Sequence, residues 1–444
     1  MVSLLATLFL SGSAAFAEPT VVASSMALAA VPVETKPLER SFTLEEAVAI
    51  ALKNDSRLLS AEQDRIIALE RVTEAKLTFL PELGLQASAA KFGALYPFAL
   101  APELGNVLAF PKGSQFNPTS SENIYSGKGY MNFSVYEGGR SVNTLRLAQT
   151  ALQQAQSNYD SVKMDVIMAV KESFFRLLAA QKRLAAASQT AADLQRMAAR
   201  LSLDPWDRIE VERLGEEFRR EAAEASRQAA LRRLDFLKAL NLEMDTPFRL
   251  LGEIDLKPLE VDPQKAALWA FELRPELKSE IYKAQMDAIA VNLAISRRYP
   301  TLFIAGDYQV TDQNFPLLNN NWAIGMGVKL PLTYDFFTKL YQKRAEQRQG
   351  QIKRAALQDQ VRLEVRQACE HLSYWQEEAV QRSQRSRVVS GIYEKASSES
   401  SASLAKLKAL STVARFRLAQ LEAVTEHALA RAHLERAVGR EISP

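Results

Sequence analysis

Between Arg140 and Asp204 the chain has neither a proline nor a glycine. Such a stretch can run as one helix. At 1.5 Å per residue its sixty-odd residues reach roughly 90 Å, several times the usual length of about 11–12 residues. Immediately before it, Tyr130–Tyr136 alternates like a strand, with Met131, Phe133 and Val135 on one face and Tyr130, Asn132 and Ser134 on the other. Glu137-Gly138-Gly139 joins the two, and Gly138-Gly139 reads as a strand-to-helix corner. A strand that feeds straight into a rod excludes most compact folds, because a rod buries little core per residue. The 444 residues therefore do not divide into the two or three globular domains that length alone would suggest.

Read in order, the chain opens with a short apolar core, Leu4–Leu10, and an A-x-A site at Ala15-Phe16-Ala17. Residues 1–17 read as an export signal and 18–40 as a flexible mature N-terminus. Thr43 with Glu46 predicts a capping box at the start of a helix that breaks near Asn54-Asp55 and resumes to Phe79. Pro81 opens a strand with Leu83, Leu85, Ala87 and Ala89 on one face. Residues 93–128, with four prolines, read as a long loop before the strand at 130–136. After the long helix, a second returns from Asp207 to about Leu240, with Leu214, Phe218, Ala222, Ala225 and Ala229 at the spacing of a packed seam.

Then the order repeats. A helix from Gln264 breaks at Arg274-Pro275 and ends at Pro300, which falls on Pro81 at an offset of 219, as Ser279 falls on Ser60. Strands follow at Leu302–Val310 and Trp322–Leu330, separated by a loop at Thr311–Asn321. Tyr334-Asp335 falls on Tyr136-Glu137 at an offset of 198, and Gly439 on Asn241 likewise. A second helical hairpin fills the C-terminus and turns near Ser397–Leu404. The divisions are thus a first repeat at 41–242, a connection at 243–263 and a second repeat at 264–440, each repeat being helix, two strands and a long hairpin.

Composition narrows the function. Net charge is +3, with no dense basic face of the kind nucleic acid selects. A single cysteine, Cys369, excludes an intrachain disulfide. His371, His427 and His433 form no i, i+4 pair, so a helical zinc motif is absent. No catalytic set, phosphate loop or cofactor motif emerges, and no apolar run has the length of a membrane helix. The strands, by contrast, are about ten residues long, the length that crosses a bilayer when tilted. Their alternation suits a wall with lipid on one side and water on the other, although a soluble sheet packed on helices would alternate in the same way. Four strands are too few to close a membrane barrel, and open edges are not tolerated in lipid. Several chains must then share one barrel. Phe92, Tyr130, Tyr136, Tyr299, Tyr308, Trp322 and Tyr334 stand near strand ends as candidate interfacial aromatics.

Thr43-Leu44-Glu45-Glu46-Ala47 with Ala51-Leu52-Lys53-Asn54, Leu80-Pro81-Glu82-Leu83 and Val135-Tyr136-Glu137-Gly138-Gly139-Arg140, followed by the same cycle again, resemble the outer-membrane efflux proteins of the TolC family over residues 41–440. The resemblance implies an α+β membrane protein: a homotrimer in which each chain gives four strands to a twelve-stranded β-barrel, continued by an α-helical coiled-coil tunnel in the periplasm. It implies an exit duct in the bacterial outer membrane that docks a periplasmic adaptor and an inner-membrane pump and has no enzymatic activity. The same duct would serve type I protein secretion. A periplasmic coiled-coil protein without a pore is the reading from another class. Tyr334-Asp335-Phe336-Phe337 departs from the glycine pair the family usually carries there.

The hairpin ends are the candidate working region. Asp204, Asp207 and Glu399 are candidates for an acidic periplasmic gate, as in relatives that ring the closed end with carboxylates. Helix capping is the plainer role for Asp204 and Asp207. Leu201, Ser202, Leu203, Trp206, Ser400 and Leu404 are candidate adaptor contacts.

Overall fold

The computed structural model describes residues 40–92, 122–199, 204–256, 258–312, 314–331, 334–399 and 403–442. The expected export signal, the N-terminal segment and most of the long loop lie outside these residues. So do Leu201, Ser202, Leu203 and Ser400, and the side chains of Phe92 and Glu399.

Each repeat begins with a broken helix. In the first, α1 (Leu44–Asn54) carries the expected capping box: the Glu46 amide donates to Thr43 Oγ1 at 3.3 Å, and the Thr43 amide donates to Glu46 Oε2 at 2.9 Å. Asp55 ends it and caps α2 (Ser56–Leu77), accepting from the Arg57 amide at 2.8 Å. Two strands follow, β2 (Glu82–Phe92) and β3 (Glu122–Tyr136), then the helical hairpin α3 (Arg140–Ala198) and α4 (Pro205–Ala239). In the second repeat, α5 (Pro263–Leu273), α6 (Pro275–Ser296), β5 (Thr301–Asp312), β6 (Asn319–Lys329), α7 (Phe336–Glu399) and α8 (Leu404–Val438) take the same places. Asn241 and Gly439, related by the offset of 198, both adopt positive φ (51° and 87°) just past α4 and α8, where a left-handed residue ends a helix.

Three expectations need correction. Residues 122–128 are strand, pairing from Glu122–Phe92 to Lys128–Gln86. Glu122-Asn123-Ile124-Tyr125-Ser126-Gly127 has no clean alternation to announce this. In the second repeat the strands also extend inward, leaving only residues 313–318 between them rather than Thr311–Asn321. The connection at 243–263 is not featureless either: β4 (Phe248–Leu250) pairs with β1 (Arg40–Phe42), three residues each and too short to leave a pattern.

The main sheet has order β2-β3-β5-β6, antiparallel throughout. The repeat extends to its register. Leu83 faces Met131, and Leu302 faces Val328, 219 and 197 residues further on. The single residue by which 197 falls short of the 198 relating Tyr136 to Tyr334 is a β-bulge: Ser134 faces Phe303 and Tyr136 faces Leu302, so Val135 is the extra residue. The helices that join the strands pack in the same order, α2 on α3, α3 on α6 and α6 on α7. Each strand therefore continues into a helix of one layered wall.

Below the sheet, the cores are duplicated as well. Ala47, Ala51, Phe174, Phe236 and Leu240 are buried in the first. Ala266, Ala270, Leu372, Leu434 and Val438 fill the equivalent places in the second. Small residues on α1 and α5 let them lie close against the long hairpins. The halves are tied by charge where α3 meets α6 and α8. Lys171 reaches Glu435 at 2.8 Å and Glu441 at 2.9 Å, while Arg436 bonds Asp165 at 2.7 Å and pairs with Glu276. Ser161 also donates to Glu276, at 3.1 Å.

His427 is buried on α8, and neither of its ring nitrogens has a hydrogen-bond partner among the described residues. It borders a cavity of about 710 Å³ lined also by Phe174, Lys171 and Glu435. Burial, aided by the Arg431 charge, pushes its pKa below the ordinary 6.5. The unfolded chain then binds the proton more readily than the folded one. Stability is complete above about pH 6.5 and is lost as pH falls from there toward the lower folded value. Thermal melts at successive pH values should show a decline for the wild type that is smaller in His427→Leu. Equal declines would mean that other groups carry it.

Candidate functional site

The two faces of the main sheet differ in chemistry. One face carries Glu82, Gln86 and Ser88 on β2, Lys128 and Asn132 on β3, Asp307 and Gln309 on β5, and Asn321 and Lys329 on β6. Lys128 and Asp307 approach to 3.5 Å, and Gln309 donates to the Ser126 hydroxyl at 2.8 Å, so part of this face is internally paired. The other face carries Leu83, Leu85, Met131, Phe133, Leu302, Ile304, Tyr308, Trp322, Ile324, Met326 and Val328. Nothing among the described residues covers the apolar face: Leu85 is 94 % exposed, Ile324 74 % and Met326 72 %. Among the described residues the strands β2 and β6 each pair on one side only. A sheet with its apolar face bare and both edges open is incomplete as a soluble object.

The aromatic residues sort by face and height. Tyr308 and Trp322 stand directly opposite each other on the apolar face. Tyr136, brought into line by the bulge, stands opposite Leu302 on the same face. Residues 302 and 308 lie six positions apart on β5, about 20 Å at the rise of a strand. That separation is near the ~25 Å height of an outer-membrane apolar band. Tyr299 and the fully exposed Tyr334 lie just beyond the lower end of the strands. Tyr130 differs: opposite Gly84 and Asp307, it is on the polar face. Its ring fills the space that a Cβ on Gly84 would need, only 2.2 Å away. Phe303 covers Gly327 in the equivalent way on β6, at 2.6 Å.

Gly138 and Gly139 both have positive φ (64° and 80°) at the β3-to-α3 corner. A Cβ on Gly138 would come within 2.5 Å of Tyr299 Cβ and 2.9 Å of the Ser296 carbonyl, so the corner also requires close approach to the end of α6. Ser141 donates to Glu137 at 2.7 Å and secures the first turn of α3. The second repeat makes its corner without glycine, with the Lys339 amide bonded to the Asp335 carbonyl and Phe336 edge-on to Phe337.

At the far end of the first hairpin, Asp204 occupies the N-cap of α4, yet its side chain makes no capping bond. Pro205 sits in the first turn, where its missing N–H costs nothing. Asp207 lies in the same turn and is partly exposed. Trp206 is 80 % exposed, and Ile209, which sequence reasoning missed, is 63 % exposed three residues on. Spacing of three puts them on one side of the helix, the signal that was available for Ile209. In the second hairpin Ser403 caps α8, accepting from the Lys406 amide at 3.3 Å, and Lys406 donates to the Ser397 carbonyl at 2.9 Å; Leu404 is partly buried. The hairpins are joined near these ends by the Lys408–Glu210 pair at 3.7 Å and the Arg415–Glu217 pair, above a core of Leu194, Phe218, Leu407 and Ala414. Among the described residues no group of three or more His, Cys, Asp or Glu is placed to hold a metal, and no helix is long and apolar enough to cross a membrane.

Comparison with known proteins fits this geometry. Residues 47–202 match the outer membrane efflux protein family. No curated protein sequence matches the chain. Among solved structures, the Campylobacter jejuni CmeC outer membrane channel superposes with a TM-score of 0.75 at 15 % identity, covering 89 % of this chain and 85 % of that one. The open state of the Neisseria gonorrhoeae MtrE outer membrane channel gives 0.73 at 16 %, covering 90 % and 89 %. The Vibrio cholerae outer membrane protein VceC gives 0.67 at 15 %, covering 89 % and 96 %. At such identities the likeness is one of fold, and it spans both repeats. Residues 47–202 thus match the outer membrane efflux protein family, and the chain as a whole carries the fold of these outer membrane channels.

Proposed function

We propose that the protein is the outer-membrane exit duct of a tripartite efflux system. Three copies would join edge to edge into a twelve-stranded barrel, with the apolar face in lipid and the polar face lining water. The helices would extend into the periplasm, and a periplasmic adaptor and an inner-membrane pump would engage their far ends. Conduction would be passive, with energy supplied by the pump. The observation that carries this reading is the bare apolar face of a sheet whose two edges remain unpaired. Tyr136, Tyr308 and Trp322 fit as interfacial aromatics, whereas Tyr130 would face the water-filled interior.

The duplicated register supplies a test. Within the chain, β3 of the first repeat pairs with β5 of the second, with Lys128 opposite Gln309. Between copies, β6 would pair with β2 of the next chain in the equivalent way. Moving Lys128 forward by 197 and Gln309 back by 219 places Gly325 opposite Ala90. With Cys369 buried and the only native cysteine, the double variant Ala90→Cys with Gly325→Cys should form oxidised, detergent-resistant trimers in the outer-membrane fraction. Recovery as a soluble monomer would reject the duct.

At the far end, Asp204, Asp207 and Glu399 remain the proposed gate, each appearing three times around the axis and attracting cations. Trp206 and Leu404, with Leu201, Ser202, Leu203 and Ser400, remain the proposed docking tips, to which Ile209 is added. Asp207→Ala should raise single-channel conductance in planar bilayers or abolish cation preference. An unchanged channel would remove Asp207 from the gate.

A further inference from the structure

A pocket of about 530 Å³ lies just below the sheet, where α3 and α7 begin and α6 ends. Arg140, Arg297 and Lys339 line it with Asp335, over an apolar floor that includes Leu293 and Phe336. Three cations against one carboxylate leave two positive charges. Lys339 is the cation that pairs with Asp335. Arg140 and Arg297 make no ion pair with any described residue, and both are exposed. Their guanidinium groups are free to bind a planar anion, for which arginine is better suited than lysine. Phe337 and Tyr341, on the first two turns of α7, are 61 % and 63 % exposed, and Tyr334 just before them is wholly exposed. Exposed aromatics beside unpaired cations are the composition of a membrane interface, where ring and headgroup meet at one depth.

From this we infer that the pocket binds the phosphate of an anionic glycerophospholipid in the inner leaflet of the outer membrane. The inference rests on the barrel reading above, which places the lower end of the strands at that leaflet. Arg140 and Arg297 hold the phosphodiester oxygens, Lys339 stays tied to Asp335 at the rim, and the acyl chains lie along Leu293 and Phe336. The first repeat alone does not form such a site. The cations come from both repeats, Arg140 from the first and Arg297 and Lys339 from the second, so a trimer would hold three sites rather than six.

Native mass spectrometry of the purified trimer in mixed micelles gives the test. Phosphatidylglycerol should remain bound at up to one molecule per chain, and phosphatidylcholine should be retained less. Charge-assisted bonds from a guanidinium to a phosphate are among the strong ones, so the double variant Arg140→Gln with Arg297→Gln should lose phosphatidylglycerol retention about tenfold or more. Arg366→Gln, at an exposed arginine on α7 away from the pocket, should leave it unchanged. Both arginines lack ion-pair partners among the described residues, so the double variant should melt with the wild type. Equal retention by wild type and double variant overturns the inference. Displacement of the lipid by millimolar inorganic phosphate overturns it too, since it would mark a site for soluble anions. Trimers that form in the outer membrane without any lipid preference overturn the inference alone, whereas failure to form membrane trimers overturns the duct as well.

Discussion

Ile324→Arg should keep the protein from assembling in the outer membrane. The side chain is 74 % exposed on the apolar face, opposite Gly306 and between the two levels of aromatic residues. Arginine facing lipid near the middle of an outer-membrane barrel costs about 2–4 kcal/mol. Three copies in one barrel would meet that cost three times, roughly 6–12 kcal/mol. The adjacent position provides the control. Ala323 stands opposite Asp307 on the polar face, so Ala323→Arg places the same charge in water and near a carboxylate. The heat-modifiable trimer should be lost from the outer-membrane fraction for the first variant and kept for the second. Equal assembly would mean that the apolar face does not meet lipid.

Phe236→Ala has the largest expected effect within one chain. The ring is fully buried on α4 and lies 5.3 Å from Phe248, 6.1 Å from Phe174 and 6.3 Å from Phe42, measured between centroids. It joins both three-residue strands to the long hairpin at the centre of the first core. Truncation of a buried phenylalanine costs about 3–5 kcal/mol. The unfolding temperature of the detergent-solubilised protein should fall markedly, while Phe337→Ala, at a residue 61 % exposed, should change it little. If both variants melt with the wild type, the first core does not limit stability.

The sequence announced those features that depend on local chemistry. The capping box at Thr43 and the break at Asp55 both rest on one or two residues whose backbone preference is strong, whereas Asn241 and Gly439 stood out only as a repeat match, and their shared left-handed conformation came from the structure. The duplication was legible because prolines and an alternating pattern recur at fixed offsets. What depends on a partner strand was not. Residues 122–128 became strand only by pairing with 86–92. Alternation already set Tyr130 with Asn132 and Ser134, but only the register shows its ring lying over Gly84 on the polar face and not among the aromatics of the apolar one. The bulge at Val135 likewise exists only relative to β5, yet it decides that Tyr136 faces with Leu302. At the hairpin ends, the sequence named Asp204 as a cap, and the structure gives it the position without the side-chain bond. Exposure, which single residues do not reveal, is what brought Ile209 into view beside Trp206.

Every strand of the main sheet passes into a helix within a few residues: 78–81 before β2, 137–139 after β3, 297–300 before β5 and 330–335 after β6. Strands and helices keep one lateral order, so no hinge separates the two parts of the wall. Mechanically it behaves as a single plate. A twist imposed at one rim has no joint in which to dissipate and must travel along the rods. The compliant part is then the opposite rim, where a small core of Leu194, Phe218, Leu407 and Ala414 and the Lys408–Glu210 and Arg415–Glu217 pairs join neighbouring rods. In the proposed duct a valve would belong at that rim, and its opening would resemble the spreading of reeds clamped at the other end.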